Sequence, residues 1–345
     1  MTTYKRILIV QTAFLGDLVL TTPLIRAVRQ LFPNSRIDAL VIPQTRDIVR
    51  HNPHLSNIYT FDKRENKKQA FTETVSKLKK VKYDLAISPH RSLTSMRILL
   101  KSAIPRRIGF RAGLPSLLLT DRVRYRQDIS EIKRNLSLLT PLHQHWFDIQ
   151  TEILIDPQSR TAAKDRLAAV PDQHYRIAVA PGSVWPTKRW PEEHFVSLLS
   201  GLAGEPVTFV MIGSANEKDL CQRVIDTSNC KNAINTAGST SLLQAAALIQ
   251  LCNLFVGNDS GSLHIANAVQ TDVIAFFGPT HRSLGFYPFR SKDKVFETDL
   301  VCRPCSRHGS QRCPLGHFKC MKTLYPEPVG TEIIKRIRPA QTQRI

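Results

Sequence analysis

The chain has 345 residues, of which 42% are hydrophobic and 22% are charged, and its formal net charge is +20. This composition excludes a disordered or low-complexity protein, because there are enough apolar residues to bury a sizeable core. The length predicts about two domains. No run approaches the roughly 18 apolar residues of a membrane-spanning helix, and the apolar stretch after Met1 lacks the cleavage site of a signal peptide.

The positive charge is concentrated in the first half. Residues 1–150 contain 26 Lys and Arg against 11 Asp and Glu, whereas residues 151–345 contain 22 against 17. Such a charge attracts nucleic acid, an anionic membrane surface or a phosphorylated glycolipid, unless it only keeps the protein soluble. The basic residues are scattered and accompany no nucleic-acid-binding motif, so we expect no nucleic-acid partner. We expect a cytoplasmic protein that lies peripherally on an anionic membrane.

In the first half, short apolar runs alternate with amphipathic stretches. The runs that predict buried strands are Ile7–Val10, Ile37–Val41, Ile58–Phe61, Leu85–Ser88 and Arg107–Gly109. The stretches that predict helices are Leu18–Leu31, Lys67–Lys80 and Thr94–Lys101. Strands that alternate with helices indicate βαβ units in a parallel sheet. Pro23 marks either a helix start or a kink.

The alternation restarts in the second half. The predicted strands are Ile177–Ala180, Val207–Ile212, Leu254–Val256 and Val273–Phe277. The predicted helices are Glu192–Leu202, Glu217–Thr227, Ser241–Leu251, Ser260–Ala268 and Pro328–Ile337. The fold class is therefore α/β, with two Rossmann-like, doubly wound parallel-sheet domains facing a cleft. We expect domains at 1–160 and 174–325, and a helix and tail at 326–345 that could cross back to the first domain.

The loop after the first predicted strand contains Gly16 and Asp17. In open α/β sheets, ligands bind outside the carboxyl ends of the strands, which is where Asp17 is expected. An ionised carboxylate there could take a proton from an attacking hydroxyl, or it could serve as a helix cap. The loop is not a dinucleotide fingerprint, because it lacks the pattern of three glycines.

Two later loops carry groups that suit a phosphate. Residues 181–191 hold Ser183 and Lys188 after a predicted strand, although Lys188 could equally be a solvated surface lysine. In residues 257–266, a predicted strand ends in small polar residues and a predicted helix begins. The candidates in that loop are Asp259, Ser260, Gly261 and His264. The alternative is a helix cap and a buried histidine. Glu217, after another strand, could bind ribose hydroxyls or only favour a helix start.

Taken together, these loops resemble glycosyltransferase family 9, the lipopolysaccharide heptosyltransferases. The matching pieces are residues 14–17, Pro181-Gly182-Ser183, Lys188-Arg189-Trp190-Pro191, Asn258 to His264, and Phe277-Gly278-Pro279-Thr280. The cysteine-rich tail at 302–321 is similar to the heptosyltransferase II branch. The resemblance implies a GT-B fold and the inverting transfer of L-glycero-D-manno-heptose from ADP-heptose to the heptose of the lipopolysaccharide inner core.

The resemblance also implies roles for the singled-out residues. Asp17 would be the catalytic base, and Lys188 would stabilise the departing ADP as a second catalytic residue. The donor would be bound by Ser183, Lys188, Glu217, Asp259, Ser260, Gly261 and His264. The acceptor, a heptose linked to Kdo-lipid A, would meet Arg111, Arg122 and Arg124. The family requires no cofactor for catalysis, and it works at the inner membrane of Gram-negative bacteria.

Four cysteines crowd the tail: Cys302, Cys305, Cys313 and Cys320. Their density fits a structural Zn²⁺, although only the first pair has the usual CxxC spacing. Reduced thiols with another local role are the alternative. For the whole chain, the rival readings are another family 9 heptosyltransferase (I, III or protein-directed) and a non-catalytic protein that binds a sugar nucleotide.

Overall fold

A computed structural model describes residues 3–64, 66–143 and 147–338. The chain forms two compact units, which divide between Leu154 and Ile155. Each unit contains one six-stranded sheet in which all neighbouring strands are parallel. The prediction of two Rossmann-like parallel-sheet domains is therefore confirmed.

The first unit contains six strands and six helices among the described residues. The strands are β1 (Arg6–Gln11), β2 (Arg36–Val41), β3 (Asn57–Thr60), β4 (Leu85–Ser88), β5 (Arg106–Arg111) and β6 (Asp121–Arg124). The helices are α1 (Leu15–Val19), α2 (Thr22–Leu31), α3 (Arg46–Val49), α4 (Lys67–Val81), α5 (Leu93–Lys101) and α6 (Glu131–Ser137). The order across the sheet is β3-β2-β1-β4-β5-β6.

The core of the first sheet lies around β1, whose apolar run is buried on both faces. Ile7 pairs with Ile37 of β2 on one side and with Leu85 of β4 on the other. After β1 the chain builds outward through β2 and β3, and then returns to place β4 on the opposite side. The order of the strands therefore reverses between β1 and β4, which is where open α/β sheets bind ligands.

The predicted helix at Leu18–Leu31 is in fact two helices. The first ends at Val19, and the second begins at Thr22 with Pro23 in its first turn. Proline is accepted there because the first amide groups of a helix have no partner within the helix. Pro23 therefore marks a helix start and not a kink.

The second unit contains six strands and seven helices among the described residues. The strands are β7 (Tyr175–Ala180), β8 (Val207–Met211), β9 (Ala233–Asn235), β10 (Leu254–Asn258), β11 (Asp272–Phe277) and β12 (Lys294–Glu297). The helices are α7 (Pro157–Arg166), α8 (Glu192–Gly201), α9 (Lys218–Ser228), α10 (Leu242–Gln250), α11 (Gly261–Ala268), α12 (Lys319–Lys322) and α13 (Pro326–Ile337). The order is β12-β11-β10-β7-β8-β9, so the strand order reverses between β7 and β10.

The limits of the second unit differ from the expected ones. Helix α7 packs against α10 and belongs to the second unit, although the predicted first domain extended to residue 160. The final helix, α13, packs against α8, so its described part belongs to the second unit as well. The crossing back of the tail to the first domain stays a prediction, and residues 339–345 lie outside the described part. Among the described residues, no helix is both long enough and apolar enough to cross a membrane.

Candidate active site

The loops after β7 and β10 are joined at the reversal point of the second sheet. Asn258, the last residue of β10, is fully buried. Its side-chain amide donates to the carbonyl oxygens of Pro181 and Gly182 at 2.8 and 3.2 Å. Its side-chain oxygen accepts the backbone N–H of Trp190 at 2.8 Å. One buried asparagine therefore holds both ends of the 181–190 loop against the end of β10.

Lys188 is a largely buried cation and not a solvated surface lysine. Its Nζ lies 2.6 Å from Oδ2 of Asp259, and the two side chains are only 13% and 6% exposed. The hydroxyl of Thr280 donates to the same carboxylate oxygen at 2.7 Å. A buried ion pair costs desolvation energy that it does not fully recover. A cation held in this way at the end of a parallel sheet is suited to an anionic ligand.

Arg303 fixes the loop that carries Thr280. Its guanidinium donates to the carbonyl oxygens of Phe277 and Thr280, each at 2.9 Å, and to the carboxylate of Glu297 at 3.0 Å. It also donates to the carbonyl oxygens of Gly278 and Thr298. The side chain is 3% exposed. Arg303 thus orients Thr280, Thr280 orients Asp259, and Asp259 orients Lys188.

Ser260 and Gly261 begin α11, as the sequence predicted. Ser260 takes the N-cap position, but its hydroxyl lies 2.8 Å from that of Ser262 and caps no backbone group. Asp259 is likewise occupied by Lys188 and Thr280, so the capping alternative is wrong for both residues. The first N–H groups of α11 point away from the helix body toward its N-terminus, and this arrangement favours an anion there.

His264 lies one turn into α11 and is 4% exposed. Burial lowers its pKa to about 4, although Asp259 opposes and Lys188 adds to that effect. The imidazole is therefore neutral at physiological pH and can donate or accept a hydrogen bond without adding charge.

The buried His264 predicts a pH dependence of stability. The unfolded chain binds a proton on this imidazole below about pH 6.5, whereas the folded protein resists it down to about pH 4. The contribution of neutral His264 to the free energy of unfolding is therefore complete above pH 6.5. It falls by about 1.4 kcal/mol per pH unit as the pH drops from 6.5 to 4. Chemical denaturation of the protein and of His264→Gln at pH 7 and pH 5 measures this contribution to the free energy of unfolding. The parent should lose more stability than the variant, and equal losses would contradict the assignment.

Glu217 lies against the 181–190 loop. Its carboxylate accepts the N–H and the hydroxyl of Ser214 at 2.7 and 2.8 Å, which is the helix-start role considered from the sequence. The other carboxylate oxygen faces Gly182, where a methyl group would come within 1.9 Å of it. Ser183 follows and is buried. The ends of β7, β8 and β10 thus bring Ser183, Glu217 and Asp259 to one edge of the sheet.

The cysteine-rich loop braces this edge from outside. The Thr187 hydroxyl donates to the carbonyl oxygen of Ser310 at 2.8 Å. The same hydroxyl accepts the Ser310 N–H at 2.8 Å. Gly309 has a φ of +93°, and a methyl group there would come within 2.6 Å of the Trp185 Cβ and 2.9 Å of the Lys188 side chain. The packing of Gly309 therefore limits where Lys188 can lie.

The family resemblance implies an ADP-sugar donor, and we expect Gly309→Ala to bind ADP more weakly because the added methyl group must displace Trp185 or Lys188. Gly316→Ala is the matched control: Gly316 also has a positive φ, of +70°, but nothing lies within 4 Å of the added methyl group. Backbone strain, about 1 kcal/mol for each, should be common to both variants. Calorimetric titration with ADP measures the difference. Equal affinities in the two variants would show that the loop does not position Lys188.

The four tail cysteines form no preorganised metal site. Cys302, Cys305, Cys313 and Cys320 are free thiols. Within the described part of the chain, no three or more His, Cys, Asp or Glu side chains are grouped so as to hold a metal ion. Burial and the neighbouring tail cysteines raise the pKa of Cys305 and that of Cys320, the latter to about 11. The zinc hypothesis stays a prediction, and the loop's contacts agree with a bracing role.

Asp17 lies at the reversal point of the first sheet. It occupies the first turn of α1, and its carboxylate accepts the backbone N–H of Phe14 at 3.2 Å. The helix-start interpretation is thus correct in part, and it leaves the carboxylate with further acceptor capacity. Lys63, in the loop after β3, donates to the carbonyl oxygen of Thr12, and its pKa is lowered by burial and by Lys67 while Asp17 raises it. A cation therefore lies within electrostatic reach of Asp17.

A second cluster joins the ends of β1 and β4. The Thr12 hydroxyl lies 2.8 Å from Nδ1 of His90 and 3.1 Å from the hydroxyl of Ser95. Burial, Lys63 and Arg91 lower the pKa of His90 to about 4, so this imidazole is neutral. Lys63 and His90 were not identified from the sequence, because no spacing links them to Asp17.

The three arginines predicted for the acceptor lie on the outer strands of the first sheet. Arg111 ends β5 and pairs in register with Arg124 of β6, and Arg122 pairs with Gly109. All three side chains are exposed. Arg111 and Arg124 thus lie at the carboxyl edge of the sheet, the edge that also carries Asp17.

Two Rossmann-like units, each with charged and polar side chains at the reversal point of its parallel sheet, match the fold of GT-B glycosyltransferases. The sequence profile of glycosyltransferase family 9 (heptosyltransferase) matches residues 72–315, and the chain belongs to this family. It is an enzyme that transfers a glycosyl group.

The chain is similar to named proteins over nearly its whole length. Lipooligosaccharide heptosyltransferase 2 of Campylobacter jejuni is 25% identical, over 94% of this chain and 97% of that protein. Lipopolysaccharide heptosyltransferase 3 of Escherichia coli is 28% identical, over 77% and 80%. The crystal structure of a family 9 glycosyltransferase from Veillonella parvula matches the fold with a TM-score of 0.89 at 22% identity, and 99% of each chain is covered.

Proposed function

We propose that this enzyme is a heptosyltransferase II, which transfers L-glycero-D-manno-heptose from ADP-heptose to the heptose of the lipopolysaccharide inner core with inversion. The observation that carries the proposal is the buried Lys188–Asp259–Thr280 cluster at the reversal point of the second sheet. Such a cluster suits a nucleotide diphosphate better than a neutral sugar alone. The tail that resembles heptosyltransferase II and the relatives of that name support the choice of branch.

The donor would lie along the carboxyl edge of the second sheet. Lys188, Ser183 and the N-terminus of α11 at Ser260 and Gly261 would meet the diphosphate. As the bond to the sugar breaks, negative charge grows on the departing ADP, and a fixed cation stabilises that charge most in the transition state. Asp259 would hold Lys188 in place, and no metal ion is needed for this step.

The donor sugar and the nucleoside would be bound by the flanking residues. Glu217 has one carboxylate oxygen occupied by Ser214, so the other remains to accept a ribose hydroxyl. His264, neutral and buried beside Asp259, would hydrogen-bond to the sugar or the phosphate without repelling Lys188.

Asp17 would act as the general base. The acceptor hydroxyl attacks the anomeric carbon from the face opposite ADP, and its proton passes to the Asp17 carboxylate as the new bond forms. The hydrogen bond from the Phe14 N–H orients the Asp17 carboxylate in the first turn of α1. Lys63 supplies a positive charge near this carboxylate. A single displacement of this kind inverts the configuration.

The acceptor would be a heptose attached to Kdo-linked lipid A at the membrane surface. Such a molecule carries phosphates and carboxylates, and the first half of the chain holds the larger excess of basic residues. Arg111, Arg122 and Arg124 are exposed and would contact those anionic groups. We infer that the enzyme associates peripherally with the inner membrane of a Gram-negative bacterium.

A comparison of acceptors tests whether the enzyme belongs to the heptosyltransferase II branch of the family. ADP release from ADP-heptose is measured with lipid A bearing Kdo alone, Kdo with one heptose, and Kdo with two heptoses. We expect kcat/KM to be highest for the acceptor with one heptose. A clear preference for Kdo alone would indicate heptosyltransferase I, and a preference for two heptoses would indicate heptosyltransferase III, the name of another relative.

A further inference from the structure

One segment of the first unit has no acidic residue. Between Asp84 and Asp121, the sequence contains six Lys and Arg and neither Asp nor Glu. Four of these cations are exposed: Arg91, Arg97, Lys101 and Arg111. Across the described residues, none of the four forms an ion pair. A basic surface without compensating carboxylates attracts anions.

The same segment exposes four leucines. Leu114 and Leu117 are 81% and 62% exposed, and Leu93 and Leu100 are 49% and 41% exposed. The first two belong to a 3₁₀ turn, Leu114–Leu118, where residues three apart lie on the same side. Leu93 and Leu100 are seven apart in α5 and share a face of that helix. The turn packs against α5, so the four leucines come from adjoining elements. We call them the leucine patch.

Cations are interleaved with the leucine patch. Arg97 is four residues after Leu93 and three before Leu100, so it lies on the same side of α5. Lys101 follows Leu100 directly, and Arg111 ends the strand that leads into the turn. Exposed leucines flanked by Lys and Arg, with no acidic residue among them, are typical of a protein surface that enters the interface of an anionic bilayer.

The patch adjoins the edge of the sheet that carries Asp17. Helix α5 follows β4 and the 3₁₀ turn follows β5, so both elements begin near the carboxyl ends of the strands. Asp17 follows β1, the neighbour of β4 in the same parallel sheet. A membrane that touched the patch would therefore lie near the end of the domain where the acceptor is attacked.

We propose that the leucine patch, with Arg97, Lys101 and Arg111, is the surface by which the enzyme docks on a membrane of anionic phospholipids. A second copy of the chain is a poorer occupant, because a two-fold contact would bring these cations together with no acidic residue of the segment to neutralise them. The proposal builds on the peripheral association proposed above, but its test measures lipid binding alone and does not depend on heptose transfer.

Binding to large unilamellar vesicles tests the surface. The protein is sedimented with vesicles of phosphatidylglycerol and phosphatidylethanolamine, and with vesicles of phosphatidylcholine. Leu114→Ser with Leu117→Ser, and separately Arg97→Gln with Lys101→Gln, should each weaken binding to the anionic vesicles roughly tenfold or more. All four side chains are exposed, so the variants should fold, which circular dichroism verifies.

Matched controls lie in the second unit. Val301→Ser with Leu315→Ser removes two exposed apolar side chains, and Lys231→Gln with Lys294→Gln removes two exposed charges. Both controls should bind the anionic vesicles like the parent. The proposal is overturned if the parent binds no vesicles, if it binds phosphatidylcholine equally well, or if the controls lose as much binding as the patch variants. Sedimentation equilibrium showing a dimer that Leu114→Ser with Leu117→Ser dissociates would assign the patch to a second copy instead.

Discussion

Asp17→Asn should slow heptose transfer severely while ADP-heptose still binds. The substitution keeps the size of the side chain, and it should weaken the hydrogen bond from the Phe14 N–H. The amide cannot take the proton of the acceptor hydroxyl. Loss of a general base lowers kcat by about 10²- to 10⁴-fold. The turnover number from ADP release and the affinity for ADP-heptose from calorimetry are both measured.

Asp128→Asn provides the control for Asp17→Asn. Asp128 is an exposed carboxylate of the same unit, paired at the surface with Arg126. Its substitution should leave kcat unchanged, because an exposed ion pair contributes little and lies outside the site. Turnover that survives in Asp17→Asn would remove Asp17 from the role of base.

Lys188→Met should have the second-largest effect. It removes the cation that faces the departing diphosphate, which should lower kcat/KM by about 10²- to 10³-fold. It also leaves the buried Asp259 carboxylate without its counter-charge, which costs on the order of 3 kcal/mol of the free energy of unfolding. Kinetics and chemical denaturation measure the two losses separately.

A double variant separates catalysis from stability at this pair. In Lys188→Met with Asp259→Asn, neither partner is charged, so much of the lost stability should return. Activity should not return, because the diphosphate still lacks its cation. Lys231→Met, an exposed lysine of the same unit, should match the parent in both measurements. If activity recovered in the double variant, Lys188 would act only by balancing Asp259.

The central strands could be predicted because each is an apolar run buried on both faces. Of the four edge strands, β3 was predicted, whereas β6, β9 and β12 were not. The sequence of β6, Asp-Arg-Val-Arg, alternates between half-buried and exposed positions, and β9 and β12 are only half-buried. A strand that pairs on one side needs no continuous apolar run, so its pairing partner decides its conformation.

The site was predictable where its residues follow strands directly. Asp17 stands in the helical turn that follows β1, and Ser183, Asp259 and Ser260 stand in strand-to-helix loops of the second unit. The topology of a parallel sheet takes such residues to the carboxyl edge of their own sheet. Asp259 is the clearest case, because it follows the last residue of β10 directly.

Residues that act through tertiary contacts were missed. Arg303 reaches the site only because its loop folds back onto the end of β11, and Lys63 meets Thr12 across 51 positions of the chain. Neither residue has a local pattern that distinguishes it from a surface cation. The burial of Lys188 could not be predicted from the sequence either, since a loop lysine is exposed in most proteins.

Mass spectrometry of the acceptor tests the central claim most directly. Purified enzyme is incubated with ADP-heptose and Kdo-lipid A bearing one heptose, and the lipid product is compared with that of Asp17→Asn. We predict that the parent adds the mass of one heptose residue to the acceptor, whereas the variant adds no detectable mass within the same incubation time. An unchanged acceptor with the parent, while ADP-heptose binds tightly, would contradict the account and indicate a protein that binds the sugar nucleotide without transferring it.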